Sequence, residues 1–172
     1  NDILQLSHLD NVSETGAAPA METVDLLDVA RECVERQKVN ARHSYISLTY
    51  LGESAPVTGS RVLLDELCQN LCDNAIRYNR PGGKVQIITA CTRDGHCTLT
   101  VKDNGIGIPK EAQTSVFERF YRVDKSRSKA TGGTGLGLAI VKHIARIHNA
   151  RIKLDSVVDE GTTITVIFET AS

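Results

Sequence analysis

Asn70 and Asn74 stand four residues apart in the run Asn70-Leu71-Cys72-Asp73-Asn74-Ala75-Ile76-Arg77-Tyr78. On a helix that spacing puts both amides on one face. An amide on a packed helix is costly unless it has partners, and its neutral carbonyl oxygen suits magnesium, a hard cation usually shared with substrate phosphates. Two amides capping nearby loops would explain the same pair.

A second group is Asp103-Asn104-Gly105-Ile106-Gly107-Ile108-Pro109, directly after an apolar strand pattern. Glycines at alternate positions let backbone approach a flat ligand, and a buried carboxylate at a strand end can accept from an exocyclic amine such as adenine's. The plainer reading is a tight turn in which Asp103 caps its own backbone. A third group, Gly132-Gly133-Thr134-Gly135-Leu136-Gly137-Leu138, runs into a helix. Free amides and the helix dipole there favour phosphate, although a glycine-permitted hinge would look the same. No Gly-x-x-x-x-Gly-Lys-Ser/Thr run is present, and the glycine spacing does not complete a dinucleotide fingerprint.

The elements that must position these residues follow from periodicity. Val24 to Val39 reads as a helix and Tyr45 to Leu51 as a strand ended by Gly52 and Pro56. Arg61 to Tyr78 is a second helix with Ser60 as N-cap, stopped by Asn79-Arg80-Pro81-Gly82-Gly83. Lys84–Cys91 and His96–Lys102 predict a hairpin whose two-residue loop is Asp94-Gly95, with Ile88, Ala90, Leu99 and Val101 on its core face. Leu136 to His148 is the third helix, with Asn149 suited to the left-handed position after it. Arg151–Val157 and Thr162–Glu169 close the pattern, giving a two-layer α/β sandwich of three helices on one sheet of about five strands. Between Pro109 and Thr134 the chain is polar and broken, and longer than the ~12–15 residues of an ordinary connection. Its Phe117, Phe120 and Tyr121 among Arg119, Arg122, Lys125, Arg127 and Lys129 read as a lid.

Composition bounds the rest. The 172 residues, 41% hydrophobic with a net charge of −1, suit one globular domain and make no electrostatic case for nucleic acid or a membrane surface. No apolar run approaches a membrane span, and a start at Asn1 is consistent with a piece of a longer protein. Ile3, Leu6, Leu9 and Val12 form one helical stripe over 1–15, followed by a linker over 16–22 and the main domain over 23–172. Cys68 and Cys72, one turn apart, read as core filler. In the two-residue-loop register Cys91 and Cys97 face opposite sides, which predicts free thiols and a reducing cytoplasm.

Four motifs in order, Asn-x-x-x-Asn-Ala-Ile-Arg-Tyr, Asp-Asn-Gly-Ile-Gly-Ile-Pro, Phe-Glu-Arg-Phe-Tyr-Arg and Gly-Thr-Gly-Leu-Gly-Leu, resemble the asparagine, first glycine, phenylalanine and second glycine boxes of sensor histidine kinase catalytic domains. The resemblance covers roughly Thr23 to Thr170 and implies the Bergerat ATP-binding sandwich. It implies Asn74 as magnesium ligand, Asn70 as its neighbour at the metal or phosphates, and Arg77, where the family often has lysine, at phosphate. Tyr78 would pack near the nucleotide, Asp103 would accept from the adenine amine, and Gly105 and Gly107 would lie beneath the base. Thr162 matches a threonine lining the adenine pocket, while Gly133, Gly135, Gly137 and Leu136 would hold the lid's end over the phosphates. Ile108, Phe120, Thr134 and Leu138 complete the implied ATP site.

ATP-hydrolysing relatives carry a glutamate one turn before the magnesium asparagine as general base, and Asn70 cannot take a proton. The resemblance therefore implies γ-phosphate transfer to a histidine, with an ATP-hydrolysing relative or a serine kinase of the same fold as alternatives, and a non-catalytic interaction module as a third. The family's His-Glu/Asp-x-x-Thr/Asn-Pro acceptor is absent. His8 lacks that context, so residues 1–15 read as the tail of the acceptor hairpin's second helix, and the chain is not expected to label itself. Implied partners are the histidine-bearing dimerisation helices and a response regulator. The implied location is the cytoplasm, with the full-length protein anchored in a bacterial inner membrane.

Overall fold

The computed structural model describes residues 20–113 and 137–169. The expected helical stripe over 1–15 and most of the lid lie outside the described residues. Strand β1 (Glu22–Asp25) opens the domain, and Asp25 caps helix α1 (Leu26–His43) by accepting from the Leu27 N–H at 3.0 Å. The sequence reading began this helix at Val24. The residues before Leu26 are instead drawn into pairing with β3 (Pro56–Gly59), a strand the sequence reading missed, in a separate two-stranded antiparallel sheet. Strand β2 (Ser47–Gly52) follows α1. Ser60 caps helix α2 (Arg61–Arg77) as expected, accepting from Leu63 N–H at 3.4 Å. Strands β4 (Lys84–Cys91) and β5 (His96–Asp103) form the hairpin. Helix α3 (Gly137–Ile147) and strands β6 (Arg151–Val157) and β7 (Gly161–Glu169) complete the chain, with Asn149 at φ 54° beyond α3.

The main sheet has the order β2-β4-β5-β7-β6, parallel between β2 and β4 and antiparallel elsewhere. Leu64, Leu67 and Leu71 of α2, Val29 of α1 and Ile140 and Ile144 of α3 are buried with Ile87, Leu99, Val166 and Phe168 of the strands. The free Cys33, Cys68 and Cys72 are buried in this core.

The β4–β5 register differs from the expected one by one residue. Thr92 donates to His96 O at 2.7 Å and Gly95 to Thr92 O, so the loop is Arg93-Asp94-Gly95 and Cys91 lies opposite Cys97. A one-residue slip moves side chains to the other face. Val85 and Ile87, not Ile88 and Ala90, therefore share the core face with Leu99 and Val101. The same slip brings Cys91 and Cys97 together as a disulfide, which overturns the free-thiol reading and removes its argument for a reducing compartment.

His148 fastens α3 to the start of α2. Its Nδ1–H donates to Ile144 O at 2.8 Å, and its Nε2 accepts from the Ser60 N–H at 3.0 Å. This contact joins the C-terminal end of α3 to the N-terminal end of α2. Burial depresses the His148 pKa below its ordinary 6.5, against the opposing pull of the Ile144 carbonyl. Stability from the neutral ring is complete above 6.5 and declines as pH falls below it, because the unfolded chain then takes up the proton first. His148→Gln is expected to lower the melting temperature at neutral pH and to flatten this acid-side loss. A loss equally steep in the variant would show that His148 does not cause it.

Candidate functional site

Asp103, Thr162 and Ser156 are register partners across β5, β7 and β6, so they form one row on the helix-facing side, beyond the apolar rows of the core. Asp103 Oδ1 accepts from Gly105 N–H at 2.9 Å and from Thr162 N–H at 3.2 Å. The turn-capping reading of Asp103 holds, because this one oxygen organises the loop. Burial pushes this carboxyl up to about 6, although both backbone donors pull it down.

The glycine loop is built by close approach. A Cβ on Gly105 would meet Tyr78 O at 2.4 Å, and one on Gly107, at φ +73°, would meet Val157 O at 2.2 Å. Ile106 N–H donates to Tyr78 O and Asp159 N–H to Ile106 O, so the loop is held between the end of α2 and the β6–β7 turn. Arg80 and Asp159 form an ion pair linking the same two segments. Asn79, 5% exposed, accepts from Arg80 N–H and donates to Lys84 O at 3.2 Å. Asn104 Oδ1 accepts from Lys84 N–H at 2.7 Å, which ties the loop's second residue to β4.

On α2, Gln69 and Asp73 face α1, bonding Gln37 and Asn40. Asn70 and Asn74 each follow one residue later, about 100° round the helix and away from α1. Both are half-buried, and Asn70 Nδ2 donates to Glu66 O at 2.9 Å, leaving its oxygen to accept. Arg77 pairs with Asp73 at 3.0 Å and lines a cleft of about 500 Å³ with Asn40, His43 and Asn79. Its guanidinium is thereby drawn to the α1 side, away from the face shared by Asn70 and Asn74. Ile108 and Leu138 are buried, and Gly137 opens α3 as the glycine run requires. Phe120, Gly133, Thr134, Gly135 and Leu136 lie outside the described residues.

Two residues of the site escaped the sequence reading. Ser156 accepts from Ile108 N–H at 2.7 Å, and Gln113 donates to Ile108 O at 3.0 Å and Ser156 O at 3.1 Å. Ser156 had a signal: it occupies the inward phase of Ile152 and Leu154, where an apolar residue was due. Gln113 had none.

A family model described as "Histidine kinase-, DNA gyrase B-, and HSP90-like ATPase" matches residues 59–172. The sensor-like histidine kinase SenX3 of Mycolicibacterium smegmatis is 46% identical over 170 residues, covering 96% of this chain and 42% of the relative. The sensor protein kinase WalK of Staphylococcus saprophyticus is 37% identical over 165 residues, covering 95% of this chain and 27% of the relative. The chain thus spans less than half the length of these relatives. Among solved structures, the mycobacterial sensor histidine kinase MprB superposes with a TM-score of 0.75 at 32% identity, covering 87% of this chain and 97% of that one.

Proposed function

The chain belongs to the histidine kinase-, DNA gyrase B- and HSP90-like ATPase family, as an ATP-binding domain of the sensor histidine kinase kind, and from that premise we propose that it binds Mg-ATP and passes the γ-phosphate to a histidine on the dimerisation helices of its own longer protein. The observation that carries the reading is Asp103, a half-buried carboxylate with one oxygen committed to the loop and the other left to accept from adenine's amine. The donor set fits magnesium too. No cluster of three acidic, histidine or cysteine side chains suited to a metal occurs among the described residues. The Asn74 carbonyl suits an ion held largely by phosphates. Bound there, magnesium would offset charge on the triphosphate as the phosphoryl group leaves.

The protein's own part is positioning. Asp103 and Thr162 fix the base, Tyr78 and the Gly105–Ile108 loop enclose it, and the start of α3 offers amides to phosphate. Asn74 supplies the metal ligand and Asn70 a second carbonyl beside it. For Arg77 to reach a phosphate it must leave Asp73. Hydrolysis is disfavoured because Asn70 holds no proton acceptor strong enough to activate water, and its N–H is spent on Glu66 O. No described helix is long and apolar enough to cross a membrane. The response regulator as downstream partner, and a cytoplasmic position beneath a membrane anchor, belong to the same proposal.

The test mixes this chain with radiolabelled ATP and a separately made histidine hairpin. Label is expected on the hairpin, lost in acid and kept in alkali, with none on the chain alone. Acid-stable label would favour serine transfer, and steady ATP turnover without label would favour the hydrolase reading.

A further inference from the structure

We propose that Ser156 is a positioning residue that sets the polarity of the Thr162 hydroxyl, so that Thr162 faces the base as an acceptor and helps select a 6-amino over a 6-oxo purine. This rests on the reading that Asp103 and Thr162 meet the base.

Ser156 Oγ has three polar neighbours. Ile108 N–H lies at 2.7 Å and must donate to it. Gly161 O lies at 3.0 Å and can only accept. Thr162 Oγ1 lies at 2.8 Å, and either hydroxyl could donate there. A hydroxyl has one proton and two lone pairs. Every contact is satisfied in one arrangement only: Ser156 donates to Gly161 O and accepts from both Ile108 N–H and Thr162 O–H. In the reverse arrangement Ser156 spends its proton on Thr162, and the Gly161 carbonyl loses its donor from Ser156.

With its proton turned toward Ser156, Thr162 presents lone pairs elsewhere. Thr162 N–H already donates to Asp103 Oδ1, so the remaining Asp103 oxygen and Thr162 Oγ1 are neighbouring acceptors at one end of the row. Two acceptors suit an amino group and repel an exocyclic carbonyl oxygen at the same place. The backbone clasp preserves this arrangement. Gln113 holds Ile108 O and Ser156 O from the other side, so Ser156, the Gly107–Ile108 turn and Thr162 stay in one relation.

The test titrates the chain by calorimetry with Mg-ATP and with the magnesium complex of inosine triphosphate, which carries oxygen in place of the 6-amino group. The wild type should prefer ATP. Ser156→Ala frees the Thr162 proton to turn toward the base, and should shrink the ATP-to-ITP affinity ratio by about tenfold, with ITP affinity unchanged or improved. Ser156→Thr, which keeps the hydroxyl, should keep the wild-type ratio. Thr162→Val should shrink the ratio as well, and adding Ser156→Ala to it should change the ratio no further. An equal loss of both affinities in Ser156→Ala would reduce Ser156 to plain support for the loop and overturn the proposal. So would a full Ser156→Ala effect in the Thr162→Val background. If Ser156→Ala proves too unstable to titrate, an unchanged ratio in Thr162→Val overturns it alone. A wild type that bound neither nucleotide would remove the nucleotide reading itself, whereas a selective wild type with a ratio indifferent to Ser156 removes only this inference.

Discussion

Asp103→Asn should weaken Mg-ATP binding by about a hundredfold and, in the same protein, raise the melting temperature measured without nucleotide. The binding loss follows from replacing a charged acceptor with a neutral one in a half-buried site, roughly 2–3 kcal/mol. The stability gain follows from the cost of keeping that charge. A carboxyl raised by burial from 3.8 to about 6 contributes its full stability below 3.8 and loses it as pH rises through about 6. At neutral pH the deficit is on the order of 3 kcal/mol. Asparagine keeps an oxygen for the Gly105 and Thr162 amides and removes the charge, so part of the deficit returns as a melting point several degrees higher. ATP affinity of the wild type should also fall as pH drops through about 6, while the variant's stays flat. The Asp103 and His148 effects on stability run in opposite directions over this pH range, so each must be read as a difference between wild type and its own variant. A variant that bound ATP normally would remove Asp103 from the base, and one destabilised at neutral pH would show the carboxylate to be structural.

Asn74→Ala should abolish the magnesium dependence of nucleotide binding and lower transfer to the hairpin by on the order of a hundredfold or more. The alanine keeps the helix, since Asn74 is half-buried and alanine is the best helix former. Folding is then intact, and the loss reads on the metal. The comparison is ATP affinity with magnesium against affinity in chelator: a clear gap in the wild type, none in the variant. A gap that survived the substitution would mean that another group carries the ion.

Much of this site was legible because its signals are local. Asn70 and Asn74 share a face through helical spacing alone, Ser60 and Asn149 took their cap positions, and Asp103 sits where its strand ends. What failed was the register of one strand pair and the existence of another. Period-two alternation identifies a strand without fixing its partner's register, and one extra loop residue after Thr92 reversed the faces of Ile88 and Ala90 and joined Cys91 to Cys97. The pairing of β1 with β3 was equally invisible, because four residues each carry too little pattern. Ser156 and Gln113 show the same limit at the site. Ser156 is 53 residues from Asp103 in sequence but only two strands away in the sheet. The resemblance implies Arg77 at phosphate, and its guanidinium pairs here with Asp73 one turn back, a competing partner that spacing alone allows.

A crystal structure of the chain grown with magnesium and a non-hydrolysable ATP analogue examines the whole pocket at once. The expected density has the adenine amine on the Asp103 carboxylate beside Thr162, and the metal bridging the phosphates to the Asn74 oxygen. A nucleotide seated elsewhere, or one bound here with its metal held away from Asn74, would contradict that arrangement.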